Sequence, residues 1–166
     1  MSKLIPILLF VVATIGHVAA RDVPAELRGR WVITRELPAT TISCWGTDQA
    51  KALIGTEIQY TVDSFRWKDK IVNHPKIEAA IVSAQQFHDE NSGHGTNGSE
   101  VSFGQLGIRS HDATQITLDH PPFEITRATT EIPGDAVLLK DKKIIVFSIC
   151  NLYFEAKRLA AHSKKR

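Results

Sequence analysis

Two imidazoles and two carboxylates fall within one short polar stretch, Phe87-His88-Asp89-Glu90-Asn91-Ser92-Gly93-His94-Gly95. Imidazole nitrogen and carboxylate oxygen together hold zinc or another divalent ion, and a glycine-flexed loop can bring such ligands to one point. His88 and His94 are the metal candidates. Their separation of six positions does not match the i, i+4 pair of a helical His-Glu-x-x-His site. The competing reading is a solvated polar loop over 88–98, so no cofactor is assigned. A second set, His111-Asp112 and Asp119-His120-Pro121-Pro122, flanks a single β-type run. The two pairs then stand roughly 20 Å apart at opposite strand ends, too far for one site. There is no Gly-x-Ser-x-Gly elbow, and nothing specifies the spacing of Glu124 and Glu131 as an acid/base pair. No nucleophile–base set can be named, and the expected function is binding rather than catalysis.

The aromatic residues carry the other chemistry. Trp67 stands beside Arg66, Lys68 and Lys70. A tryptophan so placed serves as a ligand platform at a barrel mouth, as a partner hot spot, or as a half-buried rim residue. Tyr60, Trp67 and Tyr153 are the ligand-binding candidates. The tail Lys157-Arg158 … Lys164-Lys165-Arg166 is basic and reads as a solvated end that can touch anionic surfaces. It has no aromatic interleaving, so nucleic acid is not an expected partner. Asn97-Gly98-Ser99 is a formal glycosylation sequon and implies only an exposed loop.

The elements that must position these groups are short strands. Residues 30–36 alternate, with Trp31, Ile33 and Arg35 on one face. Residues 56–68 read as a hairpin turning at Asp63-Ser64. Further runs cover 76–82, 113–118, 135–139, 143–149 and 151–158. Asp48–Leu53, with Thr47 as its cap and Gly55 as its stop, reads as a short helix. Ser83 caps a helical turn through Phe87. Val101 to Leu106 fits strand or helix equally well. About eight short strands with short connections predict one mostly β domain, an up-and-down antiparallel barrel with one or two short helices.

Residues 1–20 have the form of a secretory signal: Lys3, an apolar run over 4–15, then the small residues Val18-Ala19-Ala20. The apolar run is shorter than the roughly 20 residues of a spanning helix, so no stable membrane anchor is expected. The single domain then covers 21–166, in a periplasmic or secreted protein. The full chain carries 20 Lys+Arg and 18 Asp+Glu. Loss of Lys3 leaves 19 − 18 = +1. In an oxidising compartment Cys44 and Cys150 are most simply a disulfide. The alternatives are a free thiol or a nucleophile, and neither a Cys-x-x-Cys spacing nor a basic flank supports them.

Leu27-Arg28-Gly29-Arg30-Trp31, entering the first of these strands, resembles the opening of lipocalin-like (calycin) barrels. The resemblance implies that Trp31 packs across the barrel floor and that Arg158 lies over the indole; read from the residues alone, Gly29 relieves crowding at the strand start and Trp31 is core. The chain is also similar to small bacterial exported proteins of unassigned function, through Ile54-Gly55-Thr56 and Tyr153-Phe154-Glu155. The later Thr-Asp-Tyr-type lipocalin triplet is absent, Thr117-Leu118-Asp119 being the nearest approach. Two functions follow as expectations. One is a monomeric carrier taking a small apolar or amphipathic molecule into the barrel mouth. The other is an envelope protein-binding module, such as a protease or lysozyme inhibitor, acting through His88–Gly98 or Asp119–Phe123.

Overall fold

The computed structural model describes residues 18–20, 22–39, 43–92, 100–120 and 131–160. Ten strands and two helices make up this part: β1 (Val18–Ala20), β2 (Gly29–Glu36), α1 (Thr47–Lys51), β3 (Glu57–Tyr60), β4 (Ser64–Trp67), β5 (Lys70–Asn73), β6 (Lys76–Ser83), α2 (Ala84–Asn91), β7 (Asp112–Asp119), β8 (Ala136–Leu139), β9 (Ile144–Ile149) and β10 (Leu152–Arg158). They form one antiparallel sheet in the order β1-β6-β7-β8-β9-β10-β2-β3-β4-β5. From β2 to β10 every ladder joins neighbours in sequence, except that β10 returns to pair with β2. The result is an up-and-down meander curled into a half-barrel whose free edges are β5 and β1, while β5 and β6 are consecutive in the chain but unpaired. Those two strands are joined through His74 and Pro75, whose ring nitrogen has no hydrogen to give a ladder.

The eight runs legible in the sequence each become a strand, and two more join them. β5 follows β4 through the two-residue turn Lys68-Asp69, where Lys68 takes a positive φ of 54°. β1 pairs with Ile77–Ala79 on the outer edge of β6. Cleavage after Ala20, the expected point, would remove β1 and leave β6 with β7 alone.

Alternation places one side chain of each pair inside. Trp31, Ile33, Ile58, Phe65, Ile77, Ile116, Phe147 and Phe154 form one buried cluster within the curl. The opposite face of β6 to β10 is covered as well. Val82, Leu138, Val146 and Tyr153 pack there against Phe87 of α2 and against Val101, Phe103 and Leu106. The stretch 101–106, undecided from sequence, is a turn-rich cover segment that buries three apolar side chains.

Both helices differ in detail from expectation. The N-cap of α1 is Gly46 rather than Thr47, and the Gln49 side chain accepts from the Gly46 N–H at 2.8 Å. The second helix does not stop at Phe87. Ser83 caps it by accepting from Gln86 N, and Gln85–Asp89 and Gln86–Glu90 hydrogen bonds at i, i+4 spacing carry it on to Asn91. His88, Asp89 and Glu90 are therefore helical rather than part of a loop.

Cys44 and Cys150 are disulfide-bonded with Cα atoms 5.4 Å apart. This is a bond of an oxidising compartment. Cys150 and Asn151 form the two-residue turn between β9 and β10, with φ of 53° and 62°. A type I′ hairpin turn needs positive φ at both positions. The bridge thus pins the segment before α1 to this hairpin tip.

Candidate functional site

The floor of the half-barrel is built from β2 and β10. Trp31 is fully buried and its Nε1 donates to Leu27 O at 2.8 Å. The Arg158 guanidinium carbon lies 4.2 Å from the Trp31 ring centroid. Its Nε donates to Lys142 O at 2.9 Å, and its terminal nitrogens donate to Arg28 O and Glu26 O. One guanidinium therefore ties the segment before β2 and the β8–β9 turn to the indole. Gly29 is needed beside it: its φ is 129°, and a Cβ there would stand 3.0 Å from Arg158 Nη1.

Above the floor the interior is occupied by side chains. Phe147 and Phe154 stack with centroids 5.7 Å apart, and Tyr60 stacks on Phe65 at 6.0 Å. Trp31, Phe65, Phe147 and Phe154 are all essentially inaccessible to solvent. One crevice lies elsewhere, between α2 and the outer face of the sheet, lined by Phe87, Asn91, Gln115, Ser148 and Tyr153 among others. Its volume is about 50 Å³, far below the roughly 300–1,000 Å³ of ordinary ligand pockets.

A buried polar cluster sits where the end of β7 meets the start of β8. His120 Nε2 is 3.5 Å from Asp135 Oδ2, which also accepts from Ile132 N at 2.9 Å. From the other wall, Tyr60 donates its hydroxyl to Gly134 O at 2.6 Å. Gly134 has φ of 89°, and a Cβ there would meet the Tyr60 hydroxyl. Burial pushes the Asp135 carboxyl above its ordinary value, against the opposing pull of the Ile132 N–H and of His120. Burial, then the Asp135 charge, pushes Tyr60 well above the usual phenol range, so it stays a neutral donor. Among the described residues the hydroxyl facing this pair, that of Tyr60, is committed to a backbone carbonyl. Nearby, Glu131 accepts from Cys150 N at 2.6 Å.

A second charged knot lies on β10. Glu155, almost fully buried, accepts from Arg35 at 2.9 Å and from Lys140 at 3.3 Å, with Lys157 at 4.0 Å. Burial alone would raise its carboxyl. The Arg35 and Lys140 hydrogen bonds outweigh burial and hold it below its ordinary value.

The residues singled out in the sequence are dispersed by the fold. Tyr60 is an interior residue. Trp67 is half-buried, donates to Thr56 Oγ1 at 3.1 Å, and carries Lys68 over its ring at 4.5 Å. Tyr153 lies on the opposite face of the sheet, against Phe87, with its hydroxyl 3.3 Å from Asn91 Oδ1. The three do not line a common mouth. His88 Nδ1 is engaged by Ser92 Oγ and Val101 O, each at 3.0 Å. His94, the sequon and the segment 121–130 with Glu124 lie outside the described residues. Among the described residues no group of three or more His, Cys, Asp or Glu is placed to hold a metal ion, and no helix is long and apolar enough to cross a membrane. Asp135 and Glu155 were not legible as partners, since each meets its counterpart only through sheet register. Pro133-Gly134-Asp135 was the available signal, a turn whose glycine marks a close backbone approach.

The fold and its floor define a curled antiparallel β half-barrel consistent with the calycin type. No family model matches the chain, and no curated protein or solved structure matches it.

Proposed function

We propose that this is an exported, lipocalin-like binding module that engages another envelope protein through its outer surface and loops, without a guest in its interior. The observation that carries the reading is the packed interior, where Trp31, Phe65, Phe147 and Phe154 occupy the space a carrier leaves for its ligand. The dispersal of Tyr60, Trp67 and Tyr153 supports it, because these three aromatic rings do not share one surface. The Cys44–Cys150 bond supports an oxidising, exported setting. A rigid, disulfide-pinned barrel presenting loops suits an inhibitor of a lytic or proteolytic enzyme, by analogy of architecture alone.

Tryptophan emission followed during titration with fatty acids and hydrophobic dyes tests the first half. No saturable change is expected, and a saturable one-to-one response would overturn the reading in favour of a small-molecule carrier. Incubation with lysozymes and a set of purified envelope proteases tests the second half. Slowed turnover of at least one enzyme, with co-elution as a stoichiometric complex, is expected; failure with every member removes the inhibitor form.

A further inference from the structure

The end of the half-barrel that holds the Trp31–Arg158 floor is also where cations collect. Arg158 N donates to Lys143 O at 2.8 Å, Arg158 Nε to Lys142 O, and Leu159 N to Arg30 O at 2.8 Å. These contacts bring Arg28, Arg30, Lys142, Lys143, Lys157 and Arg158 to one rim. A shallow basin of about 350 Å³ adjoins it, lined by Gly107, Arg109, Ser110, Lys140 and Asp141. Arg30, Arg109, Lys142, Lys143 and Lys157 are exposed. Arg30 is paired with Glu57 and Lys140 with Glu155. Arg109, Lys142 and Lys143 have no ion-pair partner among the described residues.

Charge counting shows how one-sided the molecule is. The eight rim cations face Glu26, Glu57, Asp112, Asp141 and Glu155, so the rim carries 8 − 5 = +3. The described residues total 14 − 17 = −3, so those outside the rim sum to −3 − 3 = −6. A dipolar distribution of this kind orients a protein with its basic end toward an anionic surface.

We propose that the basic rim docks the protein on anionic lipid headgroups of the envelope, with the rest of the barrel turned away. The cations are spread over a rim and a shallow basin rather than lining a closed pocket, which suits a field of phosphates better than one enclosed anion. The rim offers no stacking platform, since its indole, Trp31, is buried beneath Arg158. Attachment by charge alone is reversible and salt-sensitive. The proposal stands independently of which protein, if any, the loops engage.

Sedimentation of the mature protein with vesicles of phosphatidylcholine containing one-third phosphatidylglycerol tests it, with pure phosphatidylcholine as the neutral reference. Binding to the anionic vesicles at low salt, loss at high salt, and none to the neutral vesicles are expected. Inorganic phosphate at matched ionic strength should not compete beyond the salt effect; specific competition would mean a single-anion pocket and overturn lipid docking. The double variant Lys142→Gln/Lys143→Gln, on an exposed turn, should bind about thirtyfold more weakly, from about 1 kcal/mol for each basic residue near the surface. Arg109→Gln serves as a second, independent variant. No vesicle binding at low salt, binding indifferent to the rim variants, or binding to a DNA duplex in place of vesicles would each overturn the proposal.

Discussion

Arg158, at the end of the last strand, lies over Trp31, near the start of the second, with its guanidinium carbon 4.2 Å from the indole centroid. Apart from β1 on the edge of β6, the pair marks the place where the described ladders leave sequence order, β10 returning to β2. The cation is fixed by three backbone carbonyls, Glu26, Arg28 and Lys142, while the ring is fixed through Leu27 O. It is a staple between the two ends of the domain, and its contribution is stability.

Arg158→Ala should therefore destabilise the protein by about 2–3 kcal/mol, from a cation–π contact and the loss of charge-assisted hydrogen bonds to three backbone carbonyls. Arg158→Lys should recover only part, because an ammonium cannot reach three carbonyls while lying flat on the ring. Urea midpoints of the three proteins check the order.

Gly29→Ala should cost at least about 1 kcal/mol by itself. It places a Cβ at φ 129° and 3.0 Å from Arg158 Nη1. In an Arg158→Ala background the steric part should vanish and the conformational part remain. A double-mutant cycle by chemical denaturation separates the two.

Replacing both Cys44 and Cys150 by Ser should lower stability by roughly 2–5 kcal/mol, since the bridge closes a loop of about 100 residues. The half-barrel is open between its edge strands β5 and β1, so it lacks the full set of ladders that a closed cylinder would use to resist the loss. Thermal melts with and without reductant should converge for the double variant and diverge for the native protein.

The strand runs and the floor pair were legible because both depend on local pattern. Alternation over residues 30–36 and 143–149 survives any tertiary arrangement, and a Gly-x-Trp entry carries its geometry with it. β5 was not legible, because Lys70-Ile71-Val72-Asn73 is four residues long and its only inward apolar residue is Val72. The extension of α2 was missed for a related reason: residues 88–91 are polar, and their helicity comes from side-chain bonds to Gln85 and Gln86 and from the anchor of Phe87. The pairs His120–Asp135 and Arg35–Glu155 join distant positions through register, which composition and spacing do not encode. The filled interior likewise depends on how far the sheet curls, and the inward residue types alone suit a guest equally well.

The two buried carboxylates give opposite dependences of stability on pH. Asp135 is raised by burial, so the folded protein holds that proton more tightly than the unfolded chain does. Its contribution falls as pH rises from the ordinary value of 3.8 through the higher folded one. Glu155 is lowered by Arg35 and Lys140 against its burial. Its contribution is fully present above its ordinary value of 4.5 and is lost as pH falls through the lower folded one. Asp135→Asn should therefore remove a decline in stability on the alkaline side of pH 3.8, while Glu155→Gln should remove a loss on the acid side of pH 4.5. Glu155→Gln should also lower stability near neutrality, because it leaves Arg35 and Lys140 without the buried charge they face. Unfolding free energies from urea titrations between pH 3 and 7 read both slopes. Equal slopes for the native protein and either variant would show that the carboxylate in question titrates alike in the folded and unfolded chain.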